Sequence, residues 1–114
     1  MSLSRDQRDF ARCIGLLIQH AYANGMELTF GDAYRDPRSH GAIGERIAYG
    51  SKNSQHKRRL AVDFNLFVDG KYRASTEAHR LLGEFWEQLG EREGFKLRWG
   101  GRYNDGNHYE MLRS

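Results

Sequence analysis

The residues with the clearest capacity for chemistry lie in two short segments. The first is Ser54-Gln55-His56-Lys57-Arg58-Arg59-Leu60-Ala61-Val62-Asp63, and the second is Asp105-Gly106-Asn107-His108 near the C-terminus. Two imidazoles and one carboxylate are the ligand set with which a catalytic zinc keeps one coordination position open for water. A second carboxylate, Asp105, lies three residues before the last His. In outline this is a hydrolytic centre. Taken singly, the signals are weaker. A His seven residues before an Asp suits a structural pair or two solvated side chains equally well, and Asn104-Asp105-Gly106 favours a turn for purely local reasons.

The elements that must position these residues follow from periodicity. Phe10, Ile14, Leu17, Ile18 and Ala21 recur at three- and four-residue spacing, which predicts a helix over residues 5–24, capped by Ser4 and stopped by Asn24-Gly25. Residues 26–34 alternate loosely, with Leu28 and Phe30 inward, and predict a strand that delivers Arg35 at its end, before the turn Asp36-Pro37. Residues 36–55 show no sustained period and read as a long irregular segment, a feature often functional in small domains. The clearest strand is 60–68, with Leu60, Val62, Phe64 and Leu66 on one face and Ala61, Asp63, Asn65 and Phe67 on the other. Asp63 is therefore a carboxylate flanked by core positions, which must be paired, hydrogen-bonded or metal-bound.

Asp69-Gly70 turns this strand into a short partner over residues 71–73, as a hairpin. Ser75 or Thr76 then caps a second helix that runs to Arg92, with Ala78, Leu81, Leu82, Phe85, Trp86 and Leu89 as its buried stripe and Gly94 as its stop. A short strand over 95–99, a glycine-rich turn over 100–106 and a last strand over 108–112 complete the chain. The reading is an α+β fold in one domain, a small, mainly antiparallel sheet packed against two helices.

Composition bounds the function classes. The chain has 114 residues, 39% hydrophobic and 12% aromatic, with one Pro, which suits a soluble domain able to bury a core without staples. Cys13 sits within the first helical pattern and reads as a reduced, buried thiol rather than a nucleophile. No segment approaches the ~20 apolar residues of a membrane span, and no signal peptide is evident, so synthesis in the cytoplasm with export by a separate route is expected. The net charge is +3, concentrated in Arg46, Lys52, Lys57, Arg58 and Arg59, and favours acidic substrates or polyanions. A nucleic-acid reading of Lys57-Arg58-Arg59 lacks any aromatic RNA motif or DNA-reading helix and is not adopted.

Together the motifs carry more than either does alone. Ser54-x-His56-x-x-x-x-Ala61-x-Asp63, followed by Trp99-Gly100-Gly101 and Asp105-x-x-His108-Tyr109-Glu110, resembles the D-Ala-D-Ala carboxypeptidase and L-alanyl-D-glutamate peptidase family of zinc peptidases. Its bacteriophage endolysin members look closest, and its wider group includes the zinc domain of hedgehog proteins. The resemblance implies a hedgehog/DD-peptidase-like fold with zinc held by His56, Asp63 and His108. It implies Asp105 as the general base, Arg35 as a contact to substrate or to the developing oxyanion, and Ser54 as a substrate-binding or supporting residue. The implied activity is hydrolysis of an amide bond in peptidoglycan stem peptides, by a monomer that inserts into no membrane and is released to the wall through an export or holin route. The alternative is a zinc-stabilised wall-binding module without catalysis.

One departure concerns Arg59, where the family usually has Gly, which bears on the local backbone or the rim of the cleft. Another is Asp105, where many relatives have the longer Glu. Of the other candidates, His20 and His79 read as helix-surface residues and His40 as a loop residue near the cleft. Glu110, two residues after His108, can point to the metal side as a supporting group or a reserve base.

Overall fold

Residues 2–31 and 58–113 are described by a computed structural model. The first element, α1, spans Leu3–Ala23. Ser2 caps it rather than Ser4, its Oγ accepting from the Arg5 backbone N–H at 3.0 Å. The earlier start brings Leu3 against the core and places Asp6 in the first turn, where the helix dipole favours a carboxylate. Asp6 is buried and accepts from Arg113 Nε at 3.0 Å, which ties the beginning of α1 to the end of the chain's last strand. Phe10, Cys13, Leu17 and Ala21 form the buried stripe, with Ile14 and Ile18 on its flanks. Burial pushes the Cys13 thiol up to about 11, as expected for an inert core cysteine.

Strand β1, Met26–Phe30, follows the stop at Asn24-Gly25. Phe30 does not turn into the core as expected. It is exposed, its ring resting on Phe64 at 5.3 Å, and it lines an open hollow with Phe10 and Ile14 of α1. Gly31 lies just past the strand's end, and residues 32–34 of the strand expected to residue 34, with the irregular segment after them, lie outside the described residues.

Strand β2, Ala61–Val68, is the spine of the sheet. It pairs with β1 along residues 64–68, with the short β3, Lys71–Arg73, along 66–68, and with β5, His108–Leu112, along 61–63. Strand β4, Lys96–Trp99, pairs with β5, giving the order β1-β2-β5-β4 with every pairing antiparallel. The β2–β3 hairpin turns on Asp69 and Gly70 at φ of 54° and 74°, the pair of left-handed residues a two-residue turn requires.

Helix α2, Thr76–Glu93, is capped by Ser75 and ends on Gly94 in the left-handed conformation. Its buried face differs from the one expected. His79, Leu82, Gly83, Trp86, Leu89 and Gly90 point inward, while Leu81 is 63% exposed. The cause is close packing against the sheet: a Cβ on Gly83 would lie 2.0 Å from Trp99 Cδ2, and one on Gly90 would lie 2.7 Å from the Phe95 carbonyl oxygen. The two glycines set the contact line, so the helix is rotated to bring them to the centre.

Both helices cover one face of the sheet. Phe10, Leu17, Leu82, Trp86 and Leu89 meet Val62, Phe64, Leu97, Tyr109 and Met111 there, and Trp86 stands edge-on to both Phe10 and Tyr109. Trp86 Nε1 donates to the Glu110 carbonyl at 3.1 Å, which satisfies its one polar group inside the core. The fold is α+β, with two helices against a small antiparallel sheet, as the periodicities implied. Among the described residues, no helix is long and apolar enough to cross a membrane.

Candidate active site

Alternation along β2 and β5 leaves a polar set on the sheet face turned away from the helices. Val62, Phe64, Tyr109 and Met111 fill the core, so Asp63, His108 and Glu110 project to the other side. Asp63 and His108 are register partners. The Asp63 backbone is held by the Gly31 N–H, which donates to its carbonyl at 2.7 Å, and the next residue, Phe64, donates to the Asn107 carbonyl at 2.9 Å.

His108 Nδ1 lies 3.2 Å from Asp63 Oδ1 and 3.9 Å from Asp105 Oδ2, while Nε2 lies 2.7 Å from Glu110 Oε1. Asp63 and His108 side chains are each 15% exposed, whereas that of Asp105 is 59% exposed. The cluster thus pairs a sheltered imidazole and carboxylate with an acid open to solvent.

Burial by itself would lower the His108 pKa, but the hydrogen bonds and charges of Asp63 and Glu110 outweigh it and raise the imidazole to about 9. Burial pushes the Glu110 carboxyl up, and His108 and Arg98 together more than offset this, leaving it below the usual carboxylate range. Arg98, the register partner of Glu110 on β4, donates through Nε to Glu110 Oε2 at 2.5 Å, and Arg98 Nη2 contacts the same oxygen.

The loop that carries Asp105 is fixed from three sides. Gly100–Tyr103 forms a 3-10 turn, and the Asp105 N–H donates to the Gly100 carbonyl at 3.0 Å. A Cβ on Gly100 would lie 2.4 Å from the Asp105 carbonyl oxygen and 2.8 Å from His108 Cβ, so the loop closes against a residue that has none. Trp99 Nε1 donates to the Gly106 carbonyl at 2.6 Å, and Glu87 of α2 accepts from both the Trp99 backbone N–H and the Arg102 guanidinium. Arg102 holds the Glu87 carboxyl below its ordinary range.

The donor chemistry suits a divalent ion. With Glu110 accepting from Nε2–H, a neutral His108 would turn its Nδ1 lone pair toward Asp63, and a cation is what reconciles that lone pair with a carboxylate. A proton does so in the imidazolium, and zinc takes imidazole nitrogen and carboxylate oxygen donors of this kind. Among the described residues, no group of three or more His, Cys, Asp or Glu is arranged to hold a metal ion. Two of the three expected ligands meet, while the third, His56, lies outside the described residues together with Arg35, Ser54 and His40.

His20 stacks on Phe85 with ring centroids 3.7 Å apart, consistent with a structural role on the helix. His79 is not a surface residue. It is buried, its Nδ1 2.8 Å from the Tyr109 hydroxyl, because the rotation of α2 carries it under β5. The part of Arg98 was not visible in the sequence, since only the β4–β5 register sets it opposite Glu110. Arg59 adopts a φ of 57°, in the left-handed region, at the position where glycine was expected by resemblance.

Comparison with known proteins supplies a class for this arrangement. The family model described as D-alanyl-D-alanine carboxypeptidase matches residues 48–111, more than half of the chain. The chain belongs to this family, and so to the peptidoglycan peptidases. Among solved structures, the Serratia marcescens L-Ala D-Glu endopeptidase ChiX superposes with a TM-score of 0.74 over 96% of this chain and 85% of that one. At 16% identity, this likeness concerns the fold. No curated protein sequence gives a match.

Proposed function

We propose that the chain is a zinc metallopeptidase that hydrolyses an amide bond in peptidoglycan stem peptides, of the kind phage endolysins use. The observation that carries this reading is the His108 imidazole facing Asp63 across two strands, with solvent-open Asp105 beside the same ring nitrogen. Asp63, His108 and His56 would hold the metal. When bound, zinc supplies Lewis-acid polarisation and makes a water acidic enough to lose its proton near neutral pH.

The protein's own groups do the rest. Asp105 takes a proton from the attacking water and hands it to the leaving amine, a shuttle that needs a carboxylate open to the cleft. Arg35 offers a planar set of donors to the carbonyl oxygen as charge develops on it, and Ser54 contacts substrate. The basic residues between 46 and 59 favour the free carboxylates of stem peptides.

The test is zinc content together with release of new amino groups from purified peptidoglycan, for wild type, His56→Ala and Asp105→Asn. His56→Ala is expected to lose both zinc and cleavage, and Asp105→Asn to keep zinc and lose cleavage. Undiminished cleavage by Asp105→Asn overturns the base assignment, and cleavage by metal-free protein overturns the zinc. Wall binding by wild type without new amino groups would instead identify a non-catalytic binding module. The family's name and the endopeptidase neighbour point to two bonds, D-Ala–D-Ala and L-Ala–D-Glu. Mass spectrometry of the muropeptide products distinguishes them.

A further inference from the structure

Glu110 is a buried carboxylate that the peptidase reading leaves without a task. Its side chain is 7% exposed, and each of its oxygens has a separate partner. Oε2 receives the Arg98 guanidinium, while Oε1 lies 2.7 Å from His108 Nε2. A carboxylate only accepts, so the Nε2 that faces it carries a proton. Nδ1, which also faces a carboxylate, is the nitrogen turned toward Asp63 and Asp105, so a metal ion that takes the place of its proton would be bound there while Glu110 keeps Nε2–H.

The geometry of the sheet makes the arrangement rigid. His108 and Glu110 are two apart on β5 and share a face, and Arg98 is the cross-strand partner of Glu110 on β4. Arg98 is itself braced by the Tyr103 ring, 5.3 Å from its guanidinium carbon. Tyr103, Arg98, Glu110 and His108 therefore form a continuous chain running from the Gly100–Tyr103 turn to the imidazole.

We propose that Glu110, locked by Arg98, is the positioning residue that holds the His108 ring in its Nε2–H form and directs Nδ1 at the metal. This rests on the zinc reading above and assigns Glu110 a role in metal retention rather than in proton transfer to substrate. A carboxylate behind a ligating histidine raises the basicity of the ligand and fixes its orientation, and removing such a partner typically weakens metal binding about 10- to 100-fold.

The experiment measures zinc affinity by chelator competition, ring-nitrogen NMR of His108 in zinc-loaded protein, and the melting temperature of metal-free protein. Wild type is expected to show Nδ1 bound and Nε2 protonated. Glu110→Gln, which keeps the shape and an acceptor but loses the charge, is expected to bind zinc about 10- to 100-fold more weakly. Arg98→Gln, at a half-buried position on the edge strand β4, leaves Glu110 in place without its lock and is expected to weaken zinc binding several-fold; it decides the matter should Glu110→Gln fail to fold. Unchanged zinc affinity in a folded variant, whatever its melting temperature, overturns the proposal, as does NMR showing Nε2 bound in wild type. Wild type that takes up no zinc overturns the underlying peptidase reading as well, so the two failures are distinguishable.

Discussion

Asp63 and His108, 45 residues apart in the chain, are register partners on β2 and β5, with Nδ1 3.2 Å from Oδ1. Their meeting depends on strand register. A slip of one residue in either strand would turn one of the two side chains into the core and the other away from it. The site is thus as stable as the packing that fixes this register.

Trp99 anchors the loop that carries Asp105, through Nε1 to the Gly106 carbonyl at 2.6 Å. Trp99→Phe keeps an aromatic ring against Gly83 but removes this bond. The expected loss of stability is about 1–3 kcal/mol, accompanied by a fall in kcat with zinc affinity unchanged. Thermal melting and steady-state cleavage check it. A destabilised variant with wild-type kcat would show that Asp105 does not depend on the anchor.

The approach of α2 to the sheet requires the absence of a side chain at Gly83, where a Cβ would sit 2.0 Å from Trp99 Cδ2. Gly83→Ala gains helix propensity and still destabilises, by about 3 kcal/mol, because the Trp99 ring or the helix must shift. Urea unfolding measures this. A neutral or stabilising result would mean that the helix lies farther from the sheet.

His79 supplies a pH dependence. Burial pushes its imidazole down to about 4 from an ordinary value of 6.5. The unfolded chain therefore takes up a proton between those two values that the folded protein refuses. The neutral histidine's contribution to stability is present above pH 6.5 and is lost as pH falls toward 4. Comparison of wild type with His79→Gln by denaturant titration should show the stability difference shrinking across this window. A constant difference would mean that His79 takes up its proton as readily in the folded protein as in the unfolded chain.

Arg59 sits at φ 57°, where a side chain is strained and glycine is not. Arg59→Gly should be more stable than Arg59→Ala by about 1 kcal/mol, since both lose the same contacts and only the backbone preference differs. Equal melting temperatures for the two would remove the strain.

Much of the scaffold was legible because its signals are local. The alternation of Val62, Asp63 and Phe64 has the period of a strand, and Asp69-Gly70 has the two residues that tolerate a left-handed hairpin turn. Ser75 and Gly94 are cap residues for reasons of backbone hydrogen bonding alone. The rotation of α2 was not legible. Its hydrophobic residues are spread widely enough to allow more than one inward face, and the choice was made by two glycines, Gly83 meeting the Trp99 ring of β4 and Gly90 meeting the chain at Phe95 and Leu97 as it turns back into the sheet. The same rotation buried His79 and exposed Leu81.

For the site, the residue types of Asp63, Asp105 and His108 marked them as candidates, and their expected roles came from the family resemblance of the two motifs together. The partnership of Arg98, Glu110 and His108 was a matter of tertiary structure. Side-chain alternation places Glu110 and His108 on one face, but which residue lies across from Glu110 depends on how β4 and β5 align. The linear chain determined the periodicities, the turns and the chemical groups, all set by interactions within a few residues. Register and helix rotation came from long-range packing, because only the assembled core discriminates between alignments that are locally equivalent.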